Sequence, residues 1–285
     1  MAGLVFEGVA ARILGVIFGV YAVILLFASK SWTSLFFTED LILGTAAEFF
    51  LRVMLVGSIL SLCICCLAFP ESVGVRRSVL ILCVLMLIQY SLTLAYGENI
   101  HSNMFKLQFC GVLLYFLLAL YWNIEGGDNP FKFGTNKCQD LSKTWPTLLM
   151  AANFLVYGIL MSFFTCRFYS LHWEEEMKVW DLTWFYGLHS GLFFLAMGIG
   201  GLLDYSSSDG TKRMYLIVYL FLTPALANYT VGHYSGFKTT GIYAEIVVSF
   251  ILLAISIYDN WDLFQSFGCF TDKEPLIGEY KKIED

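Results

Sequence analysis

Eight apolar segments limit what this chain can fold into, and the last four repeat the first four. Sliding the sequence along itself by 136 residues places Val20 and Tyr21 on Val156 and Tyr157, Ser34 and Leu35 on Ser170 and Leu171, and Glu39 on Glu175. Shifts of 134 to 137 carry the match onward, setting Gly57 on Gly191, Arg76 and Arg77 on Lys212 and Arg213, Thr93 on Thr230, Gln108 on Glu245 and Asn123 on Asn260. Ordered matches with so little drift predict a tandem duplication of one four-span unit.

The segments lie at about 9–28, 48–69, 78–96, 107–124, 147–166, 182–203, 214–231 and 242–258, each near the 20 residues that cross a hydrocarbon core. With 58% hydrophobic and 14% charged residues, the chain lacks the polar surface of a soluble domain. Lipid offers no partner to an open backbone group, so the spans are expected to be helices. The expected fold is therefore an all-α integral membrane protein with eight transmembrane helices in two parallel four-helix repeats. Its divisions are a first unit at 1–124, a cytosolic linker at 125–146, a second unit at 147–260 and a tail at 261–285. The first segment reads as an anchor, not as a cleaved signal peptide.

Lys and Arg set the expected orientation. With the N-terminus in the cytosol, the cytosolic side carries eleven, including Arg12, Arg76, Arg77, Lys212 and Arg213, against five on the other side. That asymmetry predicts cytosolic termini. The net charge of −6, without a basic patch, gives no reason to expect nucleic acid as a partner.

Two spans carry small residues at every fourth position: Ala11, Gly15 and Gly19, then Gly187 and Gly191. Such spacing lets helix backbones approach, either within the bundle or in a homodimer or a complex with another membrane protein.

The tail reads as an address. Asp272 with Leu276 and Ile277 has the form of an acidic dileucine signal, and Tyr280 with Ile283 that of a tyrosine signal. In an extended cytosolic peptide these aliphatic and aromatic side chains would fill the pockets of clathrin adaptor complexes. The expected location is thus the endosome or lysosome membrane, with the plasma membrane as the alternative. Cys65, Cys66 and Cys269, near the cytosolic interface, are palmitoylation candidates or inert thiols. The eight cysteines show no zinc spacing, and no metal or cofactor is expected.

Polar residues inside spans are the remaining functional pointers, since burying them in lipid is costly. Arg52, Gln108, His189, Asn228 and Glu245 all fall in the exoplasmic third of their helices. They predict a polar cavity for a small solute or a proton, with Arg52 as the partner of Glu245; the alternative is snorkelling of Arg52 and local hydrogen bonding of the rest. Hydrolase and phosphate-loop motifs are absent, so no enzyme is expected. A small-solute or proton-linked transporter is the first functional expectation. A non-catalytic scaffold or accessory subunit that binds a partner protein is the second.

Each unit has a first helix, an aromatic and acidic loop (Trp32 to Asp40), a second helix opening with Phe50, Leu51 and Arg52 and containing Gly57, a basic turn and two further helices. In this it resembles the DoxX-like four-helix integral membrane proteins. Tyr186 stands at the Arg52 position of the second unit. The resemblance implies the four-helix unit and carries no particular chemistry.

Overall fold

The computed structural model describes residues 8–126, 141–174, 177–204, 209–232 and 238–266, and all named elements among them are helical. In the first half these are α1 (Val9–Phe27), the short α2 (Ser29–Phe36), α3 (Ala46–Ala68), α4 (Val73–Tyr96) and α5 (Ser102–Glu125). The second half follows the same order: α6 (Leu141–Phe163), the short α7 (Thr165–His172), α8 (Leu182–Leu203), α9 (Asp209–Gly232) and α10 (Thr239–Asp259), with α11 (Trp261–Ser266) after it.

Among the described residues seven helices are long and apolar enough to cross a membrane. They are α1, α3, α4, α5, α8 and the greater parts of α6 and α10. The eighth expected span is also helical, but α9 opens with Asp209, Lys212 and Arg213, and its described side chains are less apolar than those of the seven. The short helices α2 and α7 were hidden in sequence, because polar residues such as Ser29, Lys30, Thr165 and Arg167 end the apolar run after a break at Ala28 or Phe164 and read as loop.

Local chemistry fixes the helix starts. Ser72 caps α4 through its hydroxyl, which accepts from the Val75 amide. Asp181 caps α8, one carboxylate oxygen accepting from Trp184 N at 2.7 Å and the other from Lys178 N at 3.1 Å. Each cap satisfies an amide that the helix itself cannot. Part of α3, Phe50–Leu55, is π-helical. The Phe50 carbonyl there accepts from the Ser190 hydroxyl of α8 at 3.2 Å.

The central helices α3 and α8 are the most enclosed, and α5 and α10 are the most exposed to the surroundings. α3 packs on α1 and on α9, whereas α8 packs on α6 and on α4. The middle helices therefore take neighbours from the opposite half as well as from their own. Small residues permit this. A Cβ at Gly200 would strike the Ser78 hydroxyl and come 2.8 Å from the Gly74 carbonyl; one at Gly210 would come 2.5 Å from Ser72 Cβ.

Polar bonds hold the crossing at one end of the bundle. The Asp204 carboxylate, at the end of α8, accepts from the Gly74 amide at 3.0 Å and from the Thr211 hydroxyl at 2.7 Å. Arg77 donates to the Leu203 carbonyl at 2.6 Å, and the Ser61 hydroxyl of α3 donates to the Met214 carbonyl of α9 at 2.8 Å. The starts of α4 and α9 thus lie together.

Several contacts occur twice, once in each half. Asn123 Nδ2 donates to the carbonyls of Arg76 (3.1 Å) and Ala119 (2.8 Å), and Asn260 Nδ2 to those of Lys212 (3.2 Å) and Ser256 (2.8 Å). At the opposite end the His101 amide donates to the Phe36 carbonyl at 2.7 Å, and the Lys238 amide to the His172 carbonyl at 2.8 Å.

The small-residue stripes face the interior. Ala11 is buried, and a Cβ at Gly15 would lie 2.8 Å from Leu67. On α8, a Cβ at Gly191 would meet Met161 at 2.7 Å and one at Gly198 the Leu155 amide nitrogen at 2.5 Å. Gly158 of α6 faces the backbone of Leu195 even more closely. Gly158→Ala must therefore push α6 away from α8 and should cost about 1–3 kcal/mol, the range for overpacked cores. Gly111→Ala, whose added atom meets nothing nearer than Tyr115 at 3.7 Å, should be neutral or slightly stabilising. Thermal melting in detergent checks both; equal melting points for the two variants would contradict the close α6–α8 contact.

Candidate functional site

A polar cluster sits in the second half, where α7 turns over the ends of α6 and α10. Glu245 of α10 is its centre. One carboxylate oxygen accepts from the Tyr157 hydroxyl of α6 at 2.6 Å, and the other lies 3.1 Å from His172 Nε2. Two further polar groups from neighbouring helices meet close by, Asn153 donating to the Tyr219 hydroxyl at 2.7 Å. These residues, with Ser249, line a cavity of about 50 Å³ whose remaining wall is largely aromatic and aliphatic.

His172 is the last residue of α7, where the helix dipole favours a positive charge. Its Nδ1 is 2.8 Å from the Phe168 carbonyl, so both ring nitrogens face acceptors. A neutral imidazole has one N–H and cannot donate to both; the imidazolium can. Burial works against the charge. The Glu245 hydrogen bond, the Phe168 carbonyl and the Glu245 charge together outweigh it, so the His172 pKa rises above its ordinary 6.5. The cluster is thus a carboxylate hydrogen-bonded to an imidazole and a phenol beside a cavity.

The five intramembrane residues expected to share a cavity are dispersed. Glu245 lines the cavity just described. Gln108 lines a second one of about 290 Å³ between α1, α4 and α5, together with Tyr21, Trp32, Cys83 and Tyr115. Arg52 lines neither: it pairs with Glu48, one turn earlier on the same helix, at 2.8 Å, and donates to the Ser29 hydroxyl through Nε (3.1 Å) and Nη2 (2.8 Å). Glu48 is buried and also accepts from the Gly44 amide at 2.7 Å. The expected Arg52–Glu245 pair is therefore replaced by two separate ones, because each residue has a nearer partner of opposite sign.

His189 is enclosed by Tyr90, Phe185 and Phe193, and its Nδ1 bonds Gln89 Oε1 at 2.6 Å. Gln89 in turn donates to the Phe185 carbonyl at 3.1 Å. That pair joins α4 to α8 and lines neither cavity. Asn228 is exposed near the end of α9.

Cys65 and Cys66 are fully enclosed, with Cys65 Sγ directed at the Gly210 carbonyl at 3.9 Å. A thiol so placed is not presented for acylation, which fits the inert-thiol alternative. Cys269 and the tail residues Asp272, Leu276, Ile277, Tyr280 and Ile283 lie outside the described residues, as does His233. Among the described residues no group of three or more His, Cys, Asp or Glu could hold a metal ion.

The two cavities are lined by residues about 136 positions apart in the sequence. Tyr21, Trp32, Cys83 and Gln108 line the first where Tyr157, Phe168, Tyr219 and Glu245 line the second. Phe36 stands where the second half has His172. One Tyr is kept, and the carboxylate and imidazole belong to the second half alone. Sequence reasoning singled out Glu245 but neither His172 nor Tyr157 as a site residue. The repeat alignment carried the missing signal, since it sets both against positions whose chemistry can be compared.

No family model, curated protein or solved structure matches the chain. The chemistry of the cluster is consequently what speaks for function.

A group whose folded pKa is raised adds stability that is fully present below its unfolded value and is lost as pH rises through the folded value. For His172 that loss falls above pH 6.5. Melting temperature in detergent should therefore decline as pH is raised from near 6.5 into the alkaline range, and His172→Gln should flatten that decline. An identical pH profile in wild type and variant would show that the imidazole gains nothing from Glu245.

Proposed function

We propose that this chain is a small-solute or proton-linked membrane transporter whose working site is the Glu245, His172 and Tyr157 cluster. The observation that carries the reading is the Glu245 carboxylate, hydrogen-bonded to Tyr157 and His172, beside a cavity within an apolar helix bundle. Ionisable groups in such a place are costly, and they usually mark solute or proton pathways. A cavity of about 50 Å³ accommodates a few waters, since each needs roughly 10–15 Å³.

The architecture in this proposal is a duplicated four-span unit of the DoxX-like kind, with α9 as the eighth span. At 24 residues α9 reaches about 36 Å at 1.5 Å per residue, enough for a bilayer core. The twice-made contacts of Asn123 and Asn260, and of Phe36 and His172, support the duplication. Both units enter from the same side in this reading, which the neighbouring starts of α4 and α9 support, and the Lys and Arg bias favours cytosolic termini.

The test uses protein reconstituted in vesicles that enclose a pH-sensitive dye, challenged with a panel of amines, amino acids, sugars and carboxylates. Wild type should couple proton movement to at least one solute. Glu245→Gln, which installs the residue of the first half, should lower that flux at least tenfold. Undiminished flux in the variant would remove Glu245 from the mechanism, and no flux with any solute would favour the scaffold that binds a partner protein.

We place the protein in endosomes or lysosomes on its tail, where the Asp272, Leu276 and Ile277 motif and the Tyr280 and Ile283 motif lie within one short segment. Replacing Leu276 and Ile277 by Ala should shift the protein toward the cell surface, and adding Tyr280→Ala should shift it further, because adaptor pockets lose the side chains that fill them. Surface labelling of intact cells reads this; an unchanged surface fraction in the triple variant would refute the address.

A further inference from the structure

We infer that the Glu245 cavity binds a small monovalent ammonium-type cation, such as ammonium or methylammonium, in exchange for a proton on His172. The inference rests on the proposed working site and names its solute class.

Charge is the first argument. Among the described residues that line the cavity, Glu245 supplies the carboxylate, His172 is the group able to carry a positive charge, and there is no Lys or Arg. While His172 is protonated the pair is neutral. Once the imidazole loses its proton, the carboxylate keeps the hydrogen bond of Tyr157 but has no counter-charge in the cavity, and a cation entering from solution restores it. An anion would meet a neutral pair or a bare carboxylate, and neither attracts it.

The walls make the second argument. Phe49, Phe168, Trp173 and Phe194 line the cavity with aromatic rings. Ring faces attract organic ammonium ions over distances up to about 6 Å. A hard metal cation needs instead six or more oxygen ligands at roughly 2.3–2.6 Å, or an octahedron for magnesium, which so aromatic a lining does not offer.

Size is the third. About 50 Å³ is far below the roughly 150 Å³ that holds benzene, so the occupant has only one or two heavy atoms beyond its nitrogen.

The groups around His172 are consistent with a single exchangeable charge. Tyr157 comes from α6, Glu245 from α10 and Tyr219 from α9, while α3 contributes the uncharged Phe49 and Phe50. The ammonium of Lys238, just before α10, donates to the Ser170 carbonyl at 2.5 Å. In the exchange the cation binds the carboxylate as the His172 N–H proton leaves to solvent. One positive charge enters and one departs, and no covalent bond to the solute is made.

The experiment measures binding of methylammonium chloride to the full chain in detergent by titration calorimetry, against sodium chloride at equal ionic strength. Methylammonium should bind at pH 8.5 and at least tenfold more weakly at pH 6. Near the pH where His172 is half protonated, buffers of different ionisation enthalpy should report fractional proton release, up to one per cation. Glu245→Gln should abolish binding, and His172→Gln should keep it while removing its pH dependence. Proton release is read on the unmodified protein, so the inference stays testable if a variant does not fold.

Binding without proton release, binding that survives Glu245→Gln, or no difference from sodium would overturn it. Glu245-dependent flux of a neutral or anionic solute, with no methylammonium binding, would overturn the cation and leave the site standing. Flux that persists without Glu245 would remove the site itself.

Discussion

The crossing of the middle helices between halves is the constraint on which the rest depends. α3 needs α9 beside it and α8 needs α4, so neither half completes its own core. Contact at backbone distance requires residues without side chains, and Gly74, Gly200 and Gly210 provide them. Dispersion between such close surfaces replaces the hydrophobic drive that is lost in lipid, where tails are as apolar as Leu. At one end the Asp204 carboxylate lies against the free amides at the start of α4, and at the other the Gln89–His189 pair ties α4 to α8. With α3 and α8 fixed centrally, α10 is left at the margin, where a carboxylate can meet a cavity without being sealed in the core.

The halves differ in polarity around this frame. The first keeps its ion pair between Glu48 and Arg52, where it staples the start of α3 to Ser29 of α2. In the second half Tyr186 stands at the Arg52 position, and its hydroxyl crosses to Thr33 at 2.8 Å. The second keeps its own pair, Glu245 with His172, beside a cavity. An ion pair that lines neither cavity thus lies in one half, and a carboxylate–imidazole pair beside a cavity in the other.

Much of the scaffold was legible in sequence, because twenty-residue apolar runs have few other fates. The order of the helices, the small-residue faces of α1 and α8 and the place of Glu245 beside a cavity all followed from length, spacing and the cost of burying charge. The short helices α2 and α7 did not, since the polar residues that end each apolar run read as loop although the chain stays helical. The partner of Arg52 was misjudged by weighing depth in the membrane over sequence proximity; Glu48, one helical turn away, was nearer. Cys65 and Cys66 stand close to an interface in the linear sequence, yet both are buried, Cys65 against the Gly210 carbonyl of α9, and that contact follows from the crossing of α3 and α9.

Infrared difference spectroscopy of the protein in lipid, recorded as the bathing buffer is switched between pH 5 and pH 9, tests the central claim most directly. The account predicts an imidazolium band that vanishes on the alkaline side, together with a shift in a carboxylate band, both lost in Glu245→Gln. A wild-type difference spectrum identical to that of Glu245→Gln would contradict it, leaving Glu245 and His172 as neighbours that share no proton.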